Sequence, residues 1–147
     1  MVSRASVLGE DRMKNRSLTK DYLIRAEHRL AAVDLLFSRG AFADVVREAQ
    51  EAVELMLKAL LRTGRIEIPR IHDVGDILLE NRQRFSKDVQ PHLERFAEIS
   101  RQMRRDRELA FYGSEDLTPS EFYKKADAER ALGDARFIWE KLRPFAT

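Results

Sequence analysis

The sequence predicts an all-α protein, an antiparallel up-and-down helical bundle with four long helices and one short helix. Three observations predict it. Apolar residues recur at spacings of three and four along four long stretches, which is the period of one helical face. No stretch shows the period-two alternation of a strand. The intervening segments are short and open on helix-ending signals such as Arg39-Gly40 and Gly64, so successive helices return alongside one another.

Residues 1–16 are polar, contain Gly9 and show no sustained apolar period; they are expected to form a flexible N-terminal arm or irregular lead-in to a domain over 17–147. Ser17 or Thr19 is a candidate cap for the first long helix, with Asp21 in its first turn. That helix is expected over about 19–38, with Tyr22, Ala26, Arg29, Leu30, Val33, Leu36 and Phe37 on one face. Gly40 is free to take the left-handed conformation that ends a helix. The second helix is expected over about 42–61, with Phe42, Val45, Ala49, Ala52, Val53, Met56, Leu57 and Leu60 as its buried stripe and Gly64 closing it.

Residues 65–70, marked by Pro69, read as a linker. A short helix follows over 73–81, capped by Asp73, with Val74, Ile77 and Leu78 inward and Gly75 weakening the pattern. The next long helix is expected over about 88–111, with Pro91 in its first turn and Leu93, Phe96, Ile99, Met103 and Ala110 as its apolar positions. Tyr112-Gly113 opens a loop. The last helix is expected to start at Thr118 or Ser120, with Thr118 and Glu121 spaced as a capping box, Pro119 at the first helical position, and Pro144 as the stop. Its apolar positions are Phe122, Tyr123, Ala126, Leu132, Ala135, Ile138, Trp139 and Leu142. Val46, Leu55, Leu61 and Trp139 lie outside a single stripe, so they either complete the core of one chain or face a second copy.

Composition narrows the chemistry. A chain of 147 residues can bury about two thirds of its unfolded surface, enough for one domain without a staple. It has no cysteine, and its three histidines, His28, His72 and His92, are too scattered for a zinc cluster, so no metal or other cofactor is expected. No apolar run approaches the length of a membrane span, and the N-terminus has no apolar leader; the expected location is the cytoplasm. Net charge is only +2, but it is uneven. Residues 1–20 carry five basic and two acidic residues, and residues 101–107 carry four arginines against one acid. Between them, residues 21–100 hold twelve basic and fourteen acidic residues. A local arginine cluster attracts anionic partners.

Three features together are similar to the HEPN domain family, over roughly residues 21–142. The first is the run Ala49-Gln50-Glu51-Ala52-Val53-Glu54-Leu55-Met56-Leu57-Lys58-Ala59-Leu60-Leu61. The second is Pro69 followed by His72-Asp73-Val74. The third is Arg107 leading to Phe111-Tyr112-Gly113, with Glu121-Phe122-Tyr123 beyond. The resemblance implies a helical bundle that dimerises. It implies either the partner of a minimal nucleotidyltransferase in a two-gene module, or a metal-independent ribonuclease acting as the toxin of a toxin–antitoxin pair. The ribonuclease members carry an arginine, four to six intervening residues and then a histidine. Arg107 matches the arginine, but Tyr112 stands where the histidine is expected and no histidine follows His92.

Metal-independent RNA cleavage needs a base for the 2′-hydroxyl and positive charge on the developing phosphorane. Histidine, with an unperturbed pKa of about 6.5, suits the first task, whereas tyrosine, at about 10, needs its pKa lowered. Arg107 can bind phosphate bidentately, and Arg101, Arg104 and Arg105 extend its field. Three readings of this segment stand side by side: a solvated face with intrahelical pairs to Asp106 and Glu108, a nucleotide- or RNA-binding surface, or a catalytic surface. Tyr112 either packs at the helix end, stacks a base, or accepts a nucleotidyl group from a partner enzyme. Glu54 and Lys58 form a surface pair or face a cleft, His72 caps or orients the short helix rather than catalysing, and His28 and His92 are surface or boundary residues. The leading expectation is a non-enzymatic nucleotide- or RNA-interacting domain using Arg101, Arg104, Arg105, Arg107 and Tyr112, as a homodimer beside a nucleotidyltransferase. The alternatives are a ribonuclease with Arg107 and Tyr112 as catalytic residues, or a pure protein-interaction module.

Overall fold

The computed structural model describes residues 4–67, 74–112 and 117–147, and side chains for residues 9–67, 74–106 and 117–147. The regular elements of these residues are all helical: α1 (Arg4–Ser38), α2 (Phe42–Thr63), α3 (Val74–Glu80), α4 (Leu93–Tyr112), α5 (Pro119–Phe122) and α6 (Lys125–Leu142). Single 3-10 turns cover Arg82–Arg84, Gln90–His92 and Arg143–Ala146. Pro69, His72 and Asp73, the expected cap of α3, lie outside the described residues, as do Gly113 and the start of the following loop.

α1 starts at Arg4 rather than near Thr19, so the lead-in over 4–16 is helix. Thr19 does not cap it. Its hydroxyl is buried and donates to the Asn15 carbonyl one turn back, at 2.9 Å, the usual way a mid-helix threonine satisfies itself. The apolar period fails before Thr19 because residues 10–14 are exposed: a helical segment with nothing to pack against has no face to keep apolar. α1 ends in a Schellman turn, with Gly40 at φ 74°, its N–H on Phe37 and the Ala41 N–H on Leu36, both at 3.0 Å. α2 then returns antiparallel, because Arg29 meets Glu48 and Asn15 meets the Arg62 carbonyl, in opposite chain order.

α2 is the centre of the molecule and packs against α1, α4 and α6. Ala49, Ala52, Val53, Met56, Leu57 and Leu60 are buried as expected, against Leu23 and Leu30 of α1, Phe96 and Ile99 of α4, and Ile138 and Leu142 of α6. Val46, Leu61 and Trp139 belong to this same core, and Leu55 packs partly buried against it. These four residues therefore serve the core of a single chain. Small residues set the closest approaches. A Cβ on Gly75 would stand 3.0 Å from the Ala97 Cβ and 3.1 Å from its Cα, so glycine is what lets α3 lie on α4.

The end of α2 departs from the simple glycine stop. Gly64 has an ordinary φ of −87°, and the left-handed residue is Arg65, at φ 56°. The Arg65 N–H meets Arg62 and the Ile66 N–H meets Leu61, both at 3.0 Å, the same Schellman pattern one residue late. Gly64 is needed for another reason: a Cβ there would lie 3.0 Å from the Phe85 ring.

The last predicted helix is two helices, which makes two short elements rather than one. Thr118 caps α5 by accepting the Glu121 N–H at 3.3 Å, with Pro119 in the first turn. The chain then turns extended at Tyr123 (φ −90°, ψ 127°), and Asp127 caps a new start by accepting the Lys124 N–H at 2.9 Å. The restart shifts the helical phase. Ala126 is exposed and Ala128 is buried instead, while Phe122 is exposed.

Candidate functional site

α4 presents three of the predicted arginines. Arg101, Arg104 and Arg105 are all exposed, while Phe96, Ile99 and Met103 anchor the helix in the core. Helical spacing produces this division, because the core residues recur at intervals of three and four and leave the arginines outward. The arginines are not equivalent. Arg101 lies 3.8 Å from Asp76 of α3. Arg104 and Arg105 have no ion-pair partner among the described side chains, to which Glu108 does not belong. Asp106, expected as their intrahelical partner, turns elsewhere: it accepts from Gln102 at 3.3 Å and lies 3.8 Å from Arg130 of α6. Arg107 and Tyr112 continue the same helix, but their side chains, with those of Glu108 and Ala110, lie outside the described residues.

Arg104 lines a cleft of about 140 Å³ between α2, α3 and α4, with Gln50, Val53, Glu54, Leu57, Val74, Ser100 and Met103. Glu54 is at the cleft and also in an ion pair, with Lys58 at 3.2 Å, both side chains partly exposed. Gln50 reaches the other Glu54 oxygen at 3.5 Å, and its own carbonyl oxygen is buried without a hydrogen-bond partner. The cleft thus combines a carboxylate, an amide with spare acceptor capacity, a hydroxyl from Ser100 and the Arg104 guanidinium. Its volume is below that of ordinary small-molecule pockets, so within one chain it suits one polar group of a larger ligand. Gln50 and Ser100 have no sequence signal of their own. Gln50 is an unremarked letter of the helix-two run, and Ser100 becomes relevant only through the packing of α4 on α2.

Beside this helix Tyr123 is fully packed, and its hydroxyl donates to the Asp106 carbonyl at 2.8 Å. Burial, reinforced by the Asp106 and Asp127 carboxylates and opposed by Arg130, pushes its pKa up to about 12. Tyr123 is therefore a structural bolt between the α5–α6 junction and α4, and an unsuitable base. His28 is exposed, and His92 is half-buried against the rings of Phe96 and Phe137, at 6.3 and 5.8 Å. His72 lies outside the described residues. Among the described residues no cluster of histidine, aspartate and glutamate has the arrangement of a metal site, and no helix is long and apolar enough to cross a membrane.

Comparison with known proteins adds one positive finding. The family model of the HEPN domain matches residues 19–144. No curated protein and no solved structure matches the chain. The matched segment covers most of the sequence and takes in α2, α3, the arginine-bearing helix α4 and the α5–α6 junction; the chain belongs to the HEPN domain family.

Proposed function

We propose that this HEPN domain binds the phosphate groups of a nucleotide or RNA through the arginines of α4, as a homodimer beside a minimal nucleotidyltransferase. The observation that carries the reading is the exposed set Arg101, Arg104 and Arg105, of which the last two have no ion-pair partner among the described side chains. Guanidinium groups held this way are open to phosphate, with which they form bidentate, charge-assisted bonds. Arg104 at the rim of the α2–α4 cleft gives the ligand a place to seat a polar group. In this reading Arg107 adds a fourth cation and Tyr112 stacks a base or orders the loop after α4.

Binding is favoured over cleavage by the absence of a histidine after His92, which leaves the 2′-hydroxyl without an obvious base. The nucleotidyltransferase and the dimer are supported by family membership alone. The test is fluorescence polarisation with a labelled single-stranded RNA, with ATP and GTP as competitors, at low salt. The triple variant R101Q/R104Q/R105Q should bind at least about ten-fold more weakly, with a shallower salt dependence. No affinity of the natural chain for any of the three ligands would end this reading. The same RNA incubated in excess EDTA should stay intact. Cleavage that disappears in R107A would replace binding with a metal-independent ribonuclease whose base comes from elsewhere.

A further inference from the structure

A second basic site lies at the end of the bundle where α2 finishes. α1 places Arg12, Arg16 and Lys20 at intervals of four, on one helical face, and the turn after α2 adds Arg65 to the same lining. All four side chains line a pocket of about 510 Å³, together with Asn15, Ser17, Thr19, Thr63, Pro144, Phe145 and Thr147. That volume is within the range of small-molecule sites. None of the lining side chains is a carboxylate, the main-chain carboxylate of Thr147 being the anion next to the lining, and among the described side chains none of the four cations is in an ion pair. Glu10, Asp11 and Asp21 are neighbours on α1, but they do not line the pocket.

The pocket is built rather than incidental. Asn15 donates to the Arg62 carbonyl at 2.7 Å and ties α1 to the end of α2. Buried Thr19 donates back to the Asn15 carbonyl at 2.9 Å. Arg65 reaches the rim from the left-handed backbone at φ 56°, a conformation that a glycine would hold with less strain. Like charges gathered around one opening repel one another, and a bound anion relieves that repulsion. Pro144 and Phe145 form an apolar wall. Arg12, Asn15, Arg16, Ser17, Phe145 and Thr147 fall outside the segment matched by the family model, residues 19–144.

We infer that this pocket binds a compact polyphosphate, the di- or triphosphate class, with phosphates on Arg12, Arg16, Lys20 and Arg65. It shares no residue with the α4 cleft, and the inference stands whether or not α4 binds RNA. A pocket whose lining carries four cations suits a small polyanion, whereas a nucleic-acid strand needs a groove open at both ends.

The test is isothermal titration of the whole chain with sodium tripolyphosphate at low salt. One equivalent should bind per chain. R16Q and R65G should each weaken binding at least ten-fold, and R39Q, which removes a charge at the distant α1–α2 turn, should not. R65G relieves the left-handed strain, so its melting temperature should equal or exceed that of the natural chain, and its loss of binding is then not a loss of fold. ATP and adenosine run in parallel separate the sources of the phosphates. ATP equal to tripolyphosphate, with adenosine silent, assigns the site to the phosphate chain alone. ATP binding more tightly adds the Pro144–Phe145 wall to recognition; both results uphold the pocket. Absence of tripolyphosphate binding overturns it. So does binding that is unchanged in R16Q and R65G, or that R39Q weakens equally. RNA bound through Arg16 and Arg65 where tripolyphosphate is not would also overturn it, in favour of a nucleic-acid track.

Discussion

Two residues show how single positions carry strain and charge. Arg65 takes a positive φ one place after a glycine that could not be spared, because Gly64 is pressed against Phe85. An L-residue in this region costs about 1–2 kcal/mol relative to the right-handed form, part of which glycine returns as unfolded-chain entropy. Arg65→Gly should therefore stabilise the fold by up to about 1 kcal/mol, or roughly 2–4 °C in a thermal melt. Tyr123 is the second case. Tyr123→Phe deletes the bond to the Asp106 carbonyl and should cost about 1 kcal/mol by urea denaturation at neutral pH. Its pKa rises from 10.0 unfolded to about 12 folded, so the folded state holds the phenolic proton more tightly. The resulting stability is complete below pH 10 and is lost as pH climbs towards about 12. The gap between natural chain and Y123F should accordingly narrow across that window; a constant gap would contradict the assignment.

At the scale of elements, the contact between α3 and α4 is the one most sensitive to a single atom. α3 is only seven residues long and does not hold itself as a helix in isolation. It depends on Gly75 lying against Ala97. Gly75→Ala improves helix propensity, yet places a methyl where the Ala97 backbone and Cβ already are. Overpacking of this kind costs about 1–3 kcal/mol, which outweighs the propensity gain. The variant should melt several degrees lower and, because Val74 lines the α2–α4 cleft, should also alter ligand affinity there. A G75A protein with unchanged stability would mean that α3 is free to move off α4. The same scale explains the α5–α6 break. An uninterrupted helix would carry its phase straight through, whereas the extended residue at Tyr123 puts its ring in the core and hands the next start to Asp127.

Across the whole molecule, the length of α1 is the distinguishing feature. Its 35 residues span about 50 Å at 1.5 Å per residue, against about 33 Å for the 22 residues of α2. Because Asn15 is level with the last turn of α2, the helix before it runs past the end of its partner. Residues 10–14 are exposed and contribute little apolar burial. Removing residues 1–14 should lower stability by no more than about 1 kcal/mol, by comparison with other changes away from the core. It should lower helical circular dichroism and weaken tripolyphosphate binding through loss of Arg12. A large loss of stability would show instead that this overhang braces the bundle. The dimer is also a question at this scale. Val46, Leu61 and Trp139 are consumed by the core of one chain, so a dimer must use other surface, and light scattering that returns the mass of one chain would remove it from the proposal.

The sequence alone determined the helical class, the Schellman turn at Gly40, the cap at Thr118 and most of the core. These follow from local rules: the period of a helix face and the chemistry of its ends act over a few residues and are written in order along the chain. The outward placement of Arg101, Arg104 and Arg105 was legible for the same reason. Only the tertiary structure decided the rest. The helix before Thr19 has no apolar period, because it overhangs its neighbours. The left-handed residue is Arg65 and not Gly64, and Phe85, twenty-one positions away in the chain, occupies the space beside that glycine. The last helix breaks at Tyr123, whose hydroxyl reaches a carbonyl on α4. Both pockets are assembled from residues distant in sequence, Gln50 with Ser100 and Arg12 with Arg65 and Phe145. Proximity of that kind is created by packing, and no local pattern records it.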